Sequence, residues 1–243
     1  MKILLAMSGG VDSSVCAKLL LEEGHDVVGV FMKHGIQPPN HSGAVVLPRR
    51  KHGCCSEEDA QDAARVAAQF GIPLHVVDFH DAFTELVTYF VEEYVRCRTP
   101  NPCVLCNAKL KFGRLFDMAE TLGAECVATG HYARIVTGPD GQPWILRGRD
   151  DAKDQSYVLH RIPRERLARL RFPLGDFCKP EIRQLAIDAG LHVAEKRESQ
   201  EICFVPEDDH AQFVREYLFR QTGEYPMTVG DFVTTRGENR GPH

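Results

Sequence analysis

No apolar run in the 243 residues approaches the roughly 20 that a helix needs to cross a bilayer, which argues against a helical membrane protein. The N-terminus carries no secretory signal, because the apolar stretch after Lys2 is short and runs straight into a glycine pair. Cytoplasm is the expected location and no membrane partner is expected. Positive charge is not in excess either. The formal net charge is −5, so no global field attracts nucleic acid, and an RNA site would have to be a local basic patch. Internal repeats and low-complexity tracts are missing as well. The nine cysteines, an odd number, do not suit a secreted disulfide scaffold. They suit a reducing compartment with thiol chemistry or metal binding.

What is present is an alternation of strands and helices over the first 135 residues. Residues 3–7 read as a strand and 12–23 as a helix ended by Gly24. Residues 27–31 form a second strand, followed by a long polar loop over 33–55. Ser56 caps a helix whose first turn is acidic, which suits the positive helix end, and Gly71 ends it. A strand over 74–77 and an amphipathic helix over 81–96 follow. Residues 99–102 (Thr-Pro-Asn-Pro) read as loop, because two prolines remove donors. A helix from about 109 to 122, stopped by Gly123, leads to a strand over 126–129. This alternation implies an α/β fold with a doubly wound parallel sheet, whose ligands bind outside the carboxyl ends of the strands. Residues 138–141 read as a turn between short strands. From Gln155 the pattern is mainly helical, with breaks at Pro163, Pro173 and Pro180. The last helix spans about 208–220, and a strand-like tail covers 227–235.

Ser8-Gly9-Gly10-Val11-Asp12-Ser13-Ser14 follows the first strand and opens the first helix. A strand that turns through two glycines and several hydroxyls into a helix makes an anion site, with backbone N–H groups and the positive helix end facing a phosphate. No Gly-Lys-Ser/Thr follows the glycines, so this is not the common nucleotide loop. It resembles the pyrophosphate loop of ATP pyrophosphatases, which split ATP between the α and β phosphates to adenylate a substrate. The plainer reading is a tight turn with a Ser/Asp cap.

A second motif is Thr99-Pro100-Asn101-Pro102-Cys103-Val104-Leu105-Cys106-Asn107, followed by Lys109 and Lys111. Its Cys-x-x-Cys sits on a Pro-rich loop running into a helix, where a helix N-terminus and lysines lower thiol pKa. Alone it fits a redox pair, half a zinc site, a cluster ligand or chance. A third thiol is Cys203, in Ile202-Cys203-Phe204. With Phe31-Met32-Lys33, Thr129-Gly130-His131-Tyr132 and Lys153-Asp154-Gln155-Ser156-Tyr157, these segments together resemble the bacterial tRNA-specific 2-thiouridylases over nearly the whole chain.

The resemblance implies an adenine nucleotide α-hydrolase-like (PP-loop) fold and ATP-dependent formation of 2-thiouridine at the tRNA wobble position. It implies that Ala6, Met7, Ser8, Gly9, Gly10, Val11, Asp12, Ser13, Met32 and Gly130 hold ATP. Asp12 is expected to help bind Mg²⁺, which offsets charge on the phosphates. Asn101, Pro102 and Cys103 fall where the family contacts the target base. Lys153, Asp154 and Gln155 fall where it contacts tRNA. Cys106 matches the catalytic nucleophile and Cys203 the persulfide carrier, with a Cys106–Cys203 disulfide formed in turnover. Many members have Asp where Cys103 stands. Three thiols, Cys103, Cys106 and Cys203, could instead ligate an iron–sulfur (4Fe–4S) cluster, and the two sulfur routes stay open at this point. The implied partners are tRNA with an unmodified wobble uridine and a persulfide or sulfide donor protein.

The implied organisation is a nucleotide domain over 1–135 with some later elements packed on it, a tRNA-contacting and catalytic-cysteine segment over 136–205, and an incomplete central domain from 206. Family members run on into a C-terminal β-barrel, and this chain is expected to be truncated before it. Cys54-Cys55 receives no role, and Cys16, Cys126 and Cys178 read as packing. His131 either contacts nucleotide or caps its strand. Arg161, Arg164, Arg166, Arg169 and Arg171 form either a solvated face or an RNA patch. The rival functions are another adenylating enzyme with a different acceptor, and an inactive ATP- or tRNA-binding fragment.

Overall fold

The computed structural model describes residues 1–33, 56–197, 202–205, 208–224 and 230–242. The polar loop with Cys54-Cys55, residues 198–201 before Cys203, and residues 225–229 of the tail lie outside the described residues. No helix among the described residues is long and apolar enough to cross a membrane.

Five parallel strands form the central sheet: β1 (Lys2–Ala6), β2 (Asp26–Lys33), β3 (Leu74–Asp78), β4 (Cys126–Ala128) and β7 (Leu170–Arg171), in the order β3-β2-β1-β4-β7. Alternate side chains of each strand leave by opposite faces. Ile3, Leu5, Val27, Phe31, Cys126 and Ala128 feed one apolar cluster, built with α1 (Val11–Glu22), α2 (Glu57–Phe70) and α7 (Lys179–Asp188). Leu4, Val28, Val30 and Val127 feed another, against α5 (Phe112–Thr121) and residues 158–167. Helices therefore cover both faces, as near-continuous apolar strands require.

The chain winds outward from β1 through β2 to β3, then crosses back to place β4 on the other side of β1. The order reverses between β1 and β4. That switch point opens a crevice at the carboxyl ends of the two strands, the place where such sheets hold ligands.

Local chemistry sets the helix ends. Ser56 and Asp59 form a reciprocal capping box at the start of α2, each side chain accepting the other's backbone N–H at 3.0 Å. Gly71 ends α2 at φ +67°. The thiol segment departs from expectation, because it is helical and not loop. Asn101 caps α4 (Pro102–Leu105), its Oδ1 accepting from Val104 N at 3.2 Å. Pro102 occupies the first helical position, where its missing N–H costs no bond. The helix continues as a wide π turn over Cys106–Lys111 and then becomes α5. Pro180 likewise begins α7 instead of breaking a helix. Strand β7 was not expected, since two residues carry no readable pattern.

Strands β5 (Ala133–Thr137) and β6 (Pro143–Arg147) form an antiparallel hairpin around the expected turn at 138–141. Beyond a 3₁₀ turn (Ser156–Leu159) and α6 (Arg164–Leu167), the chain returns to the sheet through β7. A third cluster joins α3 (His80–Val95) to α8 (His210–Thr222) through Phe83, Phe90, Phe204 and Phe213. Strands β8 (Asp231–Val233) and β9 (Asn239–Pro242) pair only with each other.

Phe90 is fully buried and meets Tyr94, Phe204 and Phe213 edge-on at centroid distances of 5.0, 5.1 and 5.9 Å. Phe90→Ala is expected to cost about 3–5 kcal/mol and to expose the 202–205 backbone to amide exchange. Denaturant unfolding and hydrogen exchange would check this, and a native-like midpoint would refute it.

Candidate functional site

The loop after β1 is braced from within. Met7 N donates to Val30 O at 2.8 Å, which extends the β1–β2 pairing by one residue. Ser13 Oγ accepts from Ser8 N at 3.1 Å and lies 3.2 Å from both Ser8 Oγ and Gly10 O. Ser14 Oγ donates to Gly10 O at 2.8 Å. Ser13 and Ser14 are buried, so their hydroxyls shape the turn, whereas Ser8 is exposed at its tip. Gly10 begins α1 with no side-chain cap, so the helix presents its first N–H groups to whatever occupies the crevice.

Two glycines permit the approach of other elements. Gly9 has φ +71°, and a Cβ there would lie 2.1 Å from Asp59 O at the head of α2. Gly130, just past β4, would put a Cβ 3.2 Å from Ser13 N and 3.3 Å from the Asp12 backbone. The structure thus brings Gly130 against Asp12 and Ser13 across the switch point. Met32, near the end of β2, packs against the second cluster, which also holds Val104 and Phe112 of the thiol helix.

Charged groups that the sequence reading did not single out complete the loop. Lys179 Nζ donates to both Asp12 carboxylate oxygens at 2.8 Å, and Tyr132 Oη donates to Asp12 Oδ1 at 2.8 Å. Behind the loop, Lys196 Nζ donates to Gly9 O at 3.0 Å, Asp59 Oδ1 at 2.7 Å and Asp62 Oδ2 at 2.5 Å. His192 Nε2 lies 2.9 Å from Asp62 Oδ1. Burial works against the charge of both Lys196 and Asp62. Their mutual hydrogen bonds outweigh it, so the Lys196 pKa is raised and the Asp62 pKa lowered. One signal existed in the sequence: a lysine directly before Pro180 stands at a helix start, where the macrodipole disfavours a cation.

The Asp12 carboxylate, expected to help bind magnesium, accepts from Lys179 and Tyr132 in this arrangement. Among the described residues, no group of three or more His, Cys, Asp or Glu side chains could hold a metal ion. Cys103 is exposed on α4, while Cys106 and Cys203 are half-buried and pack on the third apolar cluster beside Leu105 and Ile202. Asn101 and Pro102 cap and start the same helix. Asn107 Nδ2 donates to Cys103 O at 3.0 Å, and its buried Oδ1 has no hydrogen-bond partner.

Lys153, Asp154 and Gln155 form the turn after β6. Asp154 accepts from Gly148 N at 2.9 Å and from Ser156 Oγ at 2.9 Å. Burial opposes its charge, yet these bonds hold its pKa below the usual carboxylate value. Gln155 Oε1 accepts from Tyr132 N at 3.1 Å, and Gln155 N donates to Tyr132 O at 2.9 Å. Both polar side chains therefore anchor the turn, and Gln155 also fixes the tyrosine that bonds Asp12.

His131 points inward between Phe112 and Phe172, each 5.9 Å away, with Nδ1 2.7 Å from Thr129 Oγ1. Burial, and then the Lys111 charge, push its pKa well down, so it is neutral. Much of the arginine run is spent internally. Arg164 pairs with Asp140, Arg166 and Arg169 lie over the Phe116 ring, and Arg171 donates to Ala168 O and Leu170 O.

Residues 1–207 match the family described as tRNA methyl transferase HUP domain. The chain belongs to that family. Among curated relatives, it is 47% identical over 263 residues to the tRNA-specific 2-thiouridylase MnmA of Rhodopirellula baltica, covering 100% of this chain and 65% of the relative. It is 51% identical over 244 residues to the protein of the same name from Geobacter metallireducens, again over all of this chain and 64% of the relative. The chain thus spans just under two thirds of the length of these relatives. A solved 4-thiouridine synthetase in complex with RNA and bound ATP superposes with a TM-score of 0.54 at 20% identity, covering 90% of this chain and 51% of that one. That likeness concerns the fold.

The Lys196 cluster makes a pH prediction. The folded pKa of Asp62 lies below its ordinary 3.8. Its contribution to stability is therefore full above that value and lost as pH falls through the lower folded one. Thermal unfolding between about pH 5 and pH 2.5 is expected to show a steeper acid loss for the native chain than for Asp62→Asn. Parallel curves would mean that the cluster adds no pH-dependent stability.

Proposed function

We propose that this chain is the nucleotide-binding and thiol-bearing part of a tRNA-uridine 2-sulfurtransferase. With ATP as co-substrate, it adenylates the C2 oxygen of the wobble uridine and exchanges it for sulfur. The observation that carries the reading is the convergence of Cys106 and Cys203 on one apolar cluster, along a helix that continues to the nucleotide edge. Phe112, at the end of the π turn, packs against His131, the neighbour of Gly130.

The uracil C2 oxygen is a poor leaving group, and adenylation makes it a good one. In this reading the uncapped start of α1 and the Ser8, Gly9 and Gly10 backbone hold the departing pyrophosphate. Asp12 would help hold Mg²⁺, which would offset the charge developing on the phosphates. A persulfide on Cys203 attacks C2 with its terminal sulfur. The C2–O bond breaks and AMP leaves with the electron pair. The Cys106 thiolate then attacks the Cys203 sulfur, breaking the S–S bond and releasing 2-thiouridine. A Cys106–Cys203 disulfide remains, which a dithiol reductant returns to two thiols. The persulfide comes from a donor protein, and the reaction takes place in the cytoplasm with tRNA as partner.

The test is anaerobic incubation with ATP-Mg, a persulfide source and unmodified tRNA, with nucleosides read by mass spectrometry. The expected result is 2-thiouridine from the native chain and none from Cys106→Ser or Cys203→Ser. Release of pyrophosphate on adding tRNA, with no thiolated product, would leave an adenylating enzyme with another acceptor chemistry. Neither signal would reduce the reading to a nucleotide-binding domain.

A further inference from the structure

His131 is a buried titratable group that the reaction as written does not use. It directly follows Gly130, whose backbone meets Asp12 and Ser13. Its ring packs the other way, against Phe112 at the end of the π turn and Phe172 just past β7. The imidazole therefore sits between the nucleotide loop and the helix that carries Cys106, and the residue is 7% exposed.

Its two ring nitrogens are in different situations. Nδ1 lies 2.7 Å from Thr129 Oγ1, a hydroxyl on a buried residue that has no other partner among the described residues. Were that hydroxyl to accept from Nδ1, its own proton would be buried without an acceptor. It donates instead, which places the imidazole proton on Nε2. Nε2 has no hydrogen-bond partner among the described residues, yet it is not sealed in. Of their fully buried side-chain nitrogens and oxygens, only Asn107 Oδ1 lacks a partner. The Nε2–H is thus a single donor, held in direction by two aromatic rings and a threonine, that opens on the space between the loop and the thiol helix.

The acceptor that suits this donor is uncharged. A phosphate would favour a protonated imidazole, whereas burial and the Lys111 cation keep this one neutral. A carbonyl oxygen matches a neutral, partly desolvated donor. Uracil offers two. Its C2 oxygen is the one that must reach the α-phosphate, which leaves the C4 oxygen. Cytosine carries an amino group at that position, and two donors facing each other leave both unsatisfied.

Building on the reading of the chain as an enzyme that modifies a wobble uridine, we propose that His131 is a specificity-determining residue: its Nε2 donates to the C4 oxygen of the target uracil and thereby rejects cytosine. Thr129 is then the positioning residue that sets the tautomer.

The experiment is equilibrium binding of two anticodon stem-loop RNAs, with uridine or cytidine at the wobble position, to the whole chain and to His131→Asn and His131→Gln. Asparagine keeps an acceptor for Thr129 at the place of Nδ1 and has nothing at Nε2. Glutamine carries an amide N–H out to about the reach of Nε2. The native chain is expected to prefer the uridine RNA about tenfold, the size of one hydrogen bond and the mismatched donor that replaces it. His131→Asn is expected to bind the two RNAs alike while unfolding at a near-native temperature, and His131→Gln to restore the preference. A role in packing alone would weaken both RNAs together and keep their ratio. A uridine preference retained in His131→Asn therefore overturns the proposal, as does a native chain with no preference or with no affinity for either RNA. Pyrophosphate release on adding ATP to the same samples separates this proposal from the enzyme reading. A His131-dependent preference with no pyrophosphate would keep the base contact and remove the adenylating activity. Pyrophosphate with the uridine RNA, and an unchanged preference in His131→Asn, would keep the activity and remove the contact.

Discussion

Helix α1 starts in the middle of the molecule without a side-chain cap, and the surrounding elements are arranged around that open end. Its N–H groups cannot be left buried and unsatisfied without cost. The strand order reverses beside it, which keeps the space above it from being filled by a neighbouring connection. Gly9 and Gly130 are glycines because backbone from α2 and from the end of β4 must come within contact of this turn. A methyl group at Gly9 would strike Asp59 O, so the loop and α2 can meet only in this register.

The charges around the loop follow from the same constraint. A backbone turn held only by its own serines would yield when a highly charged ligand pulled on it. Lys196 ties Gly9 O to two acids of α2, and Lys179 ties Asp12 to the start of α7. Buried ion pairs are weak sources of net stability, because desolvation offsets attraction. Their value here is in fixing geometry: the loop is clamped from both sides by one stretch of chain, residues 179–196. In sequence, that stretch leads toward Cys203.

Local signals in the sequence were readable, and long-range ones were not. The Ser56 cap, the Gly24, Gly71 and Gly123 helix ends and the turn at 138–141 are each decided by a few adjacent residues, and the sheet class follows from their alternation. The thiol helix was misread because proline breaks a helix interior yet suits its first position. Only the Asn101 cap on Val104 N separates the two cases. Strand β7 is two residues long and gains its pairing from β4 alone. Asp12 with Lys179, and Asp62 with Lys196, are partners over more than a hundred residues, and their pairing depends on where α7 docks. The three-thiol set is not legible in the sequence for a related reason. Spacing puts Cys103 and Cys106 one turn apart, but only the tertiary structure decides that Cys103 faces outward while Cys106 turns toward the cluster that carries Cys203.

The helix bearing these thiols departs from ideal geometry where the chemistry would need it. The π turn over Cys106–Lys111 replaces regular helical bonds with a wider ring, which is rare and concentrated at functional positions. Within it, Asn107 keeps a buried carbonyl oxygen without a partner, at a cost of about 1–3 kcal/mol. A regular helix from Pro102 to Thr121 would avoid the widened ring, but it would rotate one end against the other. The extra residue in the π turn lets Cys106 rest on the α3–α8 cluster while Phe112, six residues on, still meets His131 at the nucleotide edge. The π turn is therefore the geometric condition for one helix to reach both the third apolar cluster and the crevice beside β1.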